Sequence, residues 1–156
     1  MIQKIISGGQ TGVDRAGLDA AMHLGLPAGG WCPAGRLAED GVIPEKYPLT
    51  ETDTDDYEIR TELNVKDSDA TLILNLGPLE GGTAFTVEMA KRHGKPYLVV
   101  QMDFTPSVPG VGDWLNEVSP TTLNIAGPRE SGRLGIHDAA YDFMLELCEW
   151  ISCNPV

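Results

Sequence analysis

The chain has 156 residues, 42% hydrophobic and 22% charged, the balance of one ordinary globular domain and not of a disordered or fibrous chain. Its 23 Asp and Glu against 11 Lys and Arg leave a formal charge of -12, the wrong sign for gripping a DNA or RNA backbone, so nucleic acid is excluded as an expected partner. No apolar run is long enough to span a bilayer and MIQKII lacks the regions of a signal peptide; three cysteines without paired metal spacing fit free thiols in a reducing cytoplasm.

Residues 2–7 (IQKIIS) form a β-branched run ended by glycines and predict a buried strand. In the stretch SGGQTGVDRAGLDAA that begins at Ser7, Val13, Ala16, Ala20 and then Leu24 recur at helical spacing, with Gly25 suited to end the helix. Residues 26–30 (LPAGG) predict a brief second strand. Residues 31–55 show no periodicity and several Pro and Gly, and an aperiodic segment of that length inside a domain is more often functional or mobile than ornamental. Asp55 and Glu58 have the spacing of a capping pair. The helix they open carries Ile59 and Leu63 on one side and a polar stripe of Tyr57, Arg60 and Asn64 opposite. Residues 70–76 (ATLILNL) predict a fully buried strand, after which GPLEGGT leads into a helix from Thr83 to Gly94. A strand at 97–102, a small helix at 111–118, a strand at 121–126 and a final helix follow. That last helix shows one apolar stripe through Ile136, Ala140, Phe143, Leu147 and Trp150.

Strands alternating with helices imply one α/β domain over residues 1–156, doubly wound and Rossmann-like, with a mainly parallel sheet flanked by helices. Ligands of such sheets bind beyond the carboxyl ends of the strands. Two glycine-rich strand-to-helix turns fall at that edge: Gly8, Gly9, Gln10, Thr11 and Gly12, and Gly81, Gly82 and Thr83. Together they predict a phosphate cradle of backbone N–H groups and helix N-termini, with Arg60 and Arg129, and also Arg133, supplying positive charge. The turns match neither the Walker pattern nor G-x-G-x-x-G, and Gly29-Gly30-Trp31 stands where a ribose-binding acid is expected, which disfavours NAD chemistry. Trp31 is either a stacking platform for a flat heterocycle or a half-buried edge residue. Cys32 is either a soft metal ligand or an inert small apolar side chain, the second being commoner, and no metal site is expected. His23, His93 and His137 share no spacing and read as solvent-facing or packing residues; Cys148 and Cys153, five apart, define neither a disulfide nor a metal site.

Arg60 lies nine residues before Asp69, and Glu88 seven after Gly81. In those spacings the chain resembles the LOG-like (lysine decarboxylase-like, SLOG) superfamily of Rossmann-like proteins. That resemblance implies Arg60 and Glu88 as a catalytic pair releasing a base from a nucleoside 5′-monophosphate. The chain departs from the hydrolase pattern at Glu80, where Pro is expected, and at Ala84-Phe85, where Gly-Thr is expected. The blocks SGGQTGVDRAGLDAA, GGWCPAGRLAEDG, RTELNVKDSDATLI and NIAGPRESGRLGI resemble more closely the superfamily's molybdenum carrier branch. This resemblance implies a homo-oligomer, dimer or tetramer, carrying molybdenum cofactor as cargo. The expectation is therefore a cytoplasmic binding protein for a small phosphorylated ligand, pterin or nucleotide, with the phosphoribohydrolase and a nucleotide sensor as alternatives.

Overall fold

The computed structural model describes residues 1–155. The elements run β1 (Lys4–Ile6), α1 (Val13–His23), β2 (Ala28–Gly29), β3 (Trp31–Cys32), β4 (Leu37–Ala38), β5 (Gly41–Val42), β6 (Thr50–Glu51), α2 (Tyr57–Lys66) and β7 (Ala70–Asn75). They continue with α3 (Gly81–Arg92), β8 (Tyr97–Gln101), α4 (Val108–Val118), β9 (Thr122–Ala126) and α5 (Ile136–Cys153). Five strands form one sheet in the order β2-β1-β9-β7-β8, every pairing parallel.

Side-chain alternation explains the layering. Ile5, Leu72, Leu74, Leu123 and Ile125 leave one face of the sheet and pack against α1, α4 and α5 in the main core. Ile73 and Ala126 leave the other face and meet Val87 of α3, with α2 packed beside α3. The ATLILN run of β7 is buried at every position because helices cover both faces. The fold is thus the expected α/β sandwich of a parallel sheet between helices.

The topology also makes a crevice. From β1 the chain crosses through α1 to β2 on one side, and from β7 through α3 to β8 on the other. The last strand, β9, then inserts between β1 and β7. Three connections consequently leave the carboxyl ends of three adjacent strands at the place where the strand order diverges.

Two expectations change in the structure. The cap of α2 is Asp56, whose carboxylate accepts from the Glu58 N–H, and not Asp55. That helix also buries its polar side: Asn64 is buried and Arg60 nearly so, while Ile59 is exposed. The middle of the aperiodic segment 31–55 is organised around one side chain. Arg36 donates to the carbonyls of Ile43, Pro44, Tyr47 and Leu49, so one guanidinium gathers residues 43–49 around itself. Within it β4 and β5 form an antiparallel hairpin, and β3 pairs with β6.

Candidate functional site

The connections after β1, β7 and β9 enclose a cavity of about 330 Å³. Gly8 and Gln10 come from the first, Pro78, Glu80 and the first turn of α3 from the second, and Gly127, Pro128, Arg129, Gly132 and Arg133 from the third. Asn75 and Asn124, at or near the ends of β7 and β9, lie against it, as do Arg60 and Asn64 of α2.

Glycine permits two close approaches here. A Cβ on Gly8 would sit 1.6 Å from Arg60 Nη1, so the guanidinium can cross the first loop only where no side chain exists. Gly12 has φ +79, and a Cβ there would lie 2.4 Å from the Pro128 carbonyl, so the first and third loops meet backbone to backbone.

Arg60 reaches across to Asp14 in the first turn of α1, Nη1 to Oδ2 2.9 Å, with both side chains largely buried. The Gln10 N–H also donates to that oxygen at 3.3 Å. Burial pushes the Asp14 carboxyl above its usual range, and the Arg60 charge pulls back against it. Arg133 locks the third loop to the second: its Nε donates to the Leu76 carbonyl at 2.6 Å and its Nη2 to Glu80 at 2.7 Å. Arg129 is held more loosely, 3.8 Å from Glu39, with its guanidinium over the Tyr57 ring. Three arginines thus face two acids, Asp14 and Glu80, in the cavity wall, a net positive surface on a chain of charge -12.

Donors without partners complete the picture. No side chain caps the N-terminus of α3, whose residues Gly81, Gly82 and Thr83 border the cavity. Gln10 Nε2 and Arg60 Nε are buried and make no hydrogen bond to protein. The Gln10 Oε1, by contrast, accepts from the N–H groups of Thr11 and Glu39, which fixes the amide's orientation. Asn75 Nδ2 donates to the Gly77 carbonyl and Asn124 Nδ2 to Thr71 Oγ1, leaving each Oδ1 as an acceptor.

The sequence-predicted residues divide accordingly. Gly8, Gln10, Gly81, Gly82, Thr83, Arg60, Arg129 and Arg133 converge on the cavity. Thr11, Gly9 and Gly12 do not border it: Thr11 bonds to Glu39, the Gly9 carbonyl accepts from Arg15, and Gly12 abuts Pro128. Glu88 does not join Arg60. It lies on the solvent side of α3, 62% exposed and 3.7 Å from Arg92, because helical phase aims Thr83 and Thr86 inward and leaves position 88 outside. The hydrolase pair is therefore not assembled. Phe85 packs with Val65, Met89 and Ala90 and leaves the cavity open. Trp31 borders a separate, smaller cavity of about 260 Å³, its indole N–H donating to Asp67 at 2.8 Å. Cys32 is fully buried beside Leu18, Ala38, Ile43 and Tyr47, with its thiol pushed up by burial. Asp14, Asn75 and Asn124 were not anticipated; for the two asparagines the signal available was a polar residue interrupting or closing an apolar strand, as in ATLILN and TLNIA.

A parallel α/β sandwich with a cavity over the divergent strand ends defines a Rossmann-like protein. More particularly, the chain belongs to the circularly permutated YpsA SLOG family, whose model matches residues 5–148. It is also similar to a solved structure, that of a putative molybdenum carrier protein from Syntrophus aciditrophicus SB. The two share 47% sequence identity over 94% of each chain, with a TM-score of 0.87. No curated protein matches the chain. No described helix is long and apolar enough to cross a membrane.

Proposed function

We propose that this chain binds and carries a small phosphorylated molecule in the three-loop cavity, with molybdenum cofactor as its cargo. The observation that carries this reading is the pair of buried donors, Gln10 Nε2 and Arg60 Nε, left without protein partners on residues that line the same cavity as the uncapped start of α3. Leaving such a group unsatisfied costs about 1–3 kcal/mol, so a ligand oxygen there is rewarded. The phosphate sits against the amides of Gly81, Gly82 and Thr83, with Arg60 and Arg129 balancing its charge. Asn75 and Asn124 accept from the ring N–H groups of a pterin. At about 330 Å³ the cavity is at the small end of ligand sites, which suits one heterocycle with one phosphate.

Its 47% identity to a protein named as a molybdenum carrier supports molybdenum as what is carried. Among the described residues no group of three or more His, Cys, Asp or Glu is placed to hold a metal. In this reading the metal travels on the sulfur donors of its own pterin, and Cys32, fully buried among apolar side chains, is not assigned to it. A cytoplasmic homo-oligomer, dimer or tetramer, is part of the same proposal.

Calorimetric titration with stabilised molybdopterin, AMP and GMP, with released base assayed in the same samples, tests the reading. Pterin binding without base release is the expected result. Nucleotide binding without turnover would replace the carrier by a nucleotide sensor. Base release abolished by Glu88→Gln would replace it by a hydrolase, and binding of none of the three would overturn it.

A further inference from the structure

The β4–β5 hairpin ends in two acids that meet the ligand loops in different ways. Asp40 forms a two-pronged ion pair with Arg15, at 2.5 and 2.7 Å. Glu39 instead sits in a mixed donor set built from the first and third loops. Its carboxylate accepts from Thr11 Oγ1, from Ser131 Oγ and from the Ser131 N–H, with Arg129 Nη1 at 3.8 Å. Two hydroxyls, an amide and a guanidinium are the donors that recognise phosphoryl oxygens. Here the chain's own carboxylate occupies them. Burial pushes the Glu39 carboxyl up, but the Ser131 and Thr11 bonds and the Arg129 charge together outweigh it and hold the group below its usual range.

The three cavity arginines are not equally committed. Arg60 is 2.9 Å from Asp14 and Arg133 is 2.7 Å from Glu80, whereas Arg129 stands 3.8 Å from Glu39 with its side chain 46% exposed. Arg129 also shares the Tyr57 ring with Arg60, the two guanidinium carbons lying 5.8 and 5.6 Å from its centroid. An arginine so placed can turn from an internal carboxylate to an anion in the cavity without losing a close ion pair.

We propose that Glu39 sets the affinity of the cavity for anions by competing for Arg129, so that an entering phosphoryl group takes Arg129 from Glu39. The inference rests on the reading that the cavity takes an anion. It adds a specificity-determining residue outside the cavity wall and makes the hairpin an internal competitor of the ligand.

The test is calorimetric titration of the full chain with inorganic phosphate in wild type, Glu39→Gln, Arg129→Gln and the double variant, with Glu117→Gln as a remote charge-matched control. Glu39→Gln keeps an oxygen for Thr11 and Ser131 but removes the charge that restrains Arg129. It should tighten phosphate roughly two- to fivefold, the range of a partly exposed ion pair. That gain should vanish in the Arg129→Gln background and be absent from Glu117→Gln. Equal affinity in wild type and Glu39→Gln, or the same gain without Arg129, would overturn the inference alone. Absence of phosphate binding to every form would overturn the cavity reading and this inference with it. Should Glu39→Gln not fold, the ¹³C carboxyl resonance of Glu39 in the wild-type chain supplies the answer. It should move as phosphate binds and stay fixed in Arg129→Gln; a signal indifferent to phosphate in the wild type would overturn the competition.

Discussion

Replacing Arg60 by Met strands the Asp14 carboxylate in a buried site. The two side chains are 13% and 7% exposed, so water screens the pair little and can replace the lost partner only poorly. Breaking a buried pair of this kind costs about 3 kcal/mol. For a chain of this size that corresponds to a fall in Tm of roughly 6–12 °C. The pH dependence carries a sign. Burial already raises the Asp14 carboxyl, and removing Arg60 raises it further. The folded variant then binds more protons than the unfolded chain from about pH 3.9 up to the raised folded value, so its stability falls as pH rises through that window. The deficit against wild type should be smaller at pH 5 than at pH 7, measured by urea unfolding at both. The double variant Asp14→Asn/Arg60→Met should recover at least half of the loss, since no charge is left unpaired. A deficit under about 1 kcal/mol, equal at the two pH values, would refute the claim that the pair is buried and mutually dependent.

Three further outcomes follow from the geometry. A Cβ at Gly82 meets nothing within 4 Å, so Gly82→Val should change stability by less than about 0.5 kcal/mol while weakening phosphate binding roughly tenfold, read by calorimetry. Gly12→Ala faces both φ +79 and the Pro128 carbonyl at 2.4 Å, and should cost about 3 kcal/mol in chemical denaturation. His137 lies 2.8 Å from Asp19 and 2.9 Å from Asp138; burial lowers its pKa, but the two carboxylates prevail and raise it. Its stabilising contribution is therefore complete below about pH 6.5 and lost as pH rises through the higher folded value. His137→Asn should flatten the urea midpoint across that window, and an unchanged slope would show that the histidine is not coupled to folding.

The elements were legible where burial is uniform or one-sided. ATLILN reads as a buried strand because both faces are covered, and the stripe from Ile136 to Trp150 reads as a helix because only one side meets the core. The first two ligand loops were legible from glycines placed between strand and helix. The insertion of β9 between β1 and β7 was not, since nothing in a run such as TLNIA names its neighbours in the sheet. That insertion brings Gly127 to Arg133 into the cavity wall as a third loop. The orientation of α2 misled for a related reason: its buried side faces the polar site, so Arg60 and Asn64 go inward and Ile59 outward. Hydrophobic periodicity locates a helix but assumes an apolar interior. The superfamily resemblance likewise joined Arg60 to Glu88, and helical phase separates them, because position 88 falls on the face of α3 turned away from Thr83 and Thr86, which border the cavity.

The central claim, that the cavity holds a phosphorylated pterin, is tested most directly by a crystal structure of the chain with molybdopterin. The account predicts phosphate oxygens within hydrogen-bonding distance of the Gly82 and Thr83 amides, and ligand acceptors meeting Gln10 Nε2 and Arg60 Nε. A pterin seated instead beside Trp31, with those two buried donors still unpartnered, would contradict it.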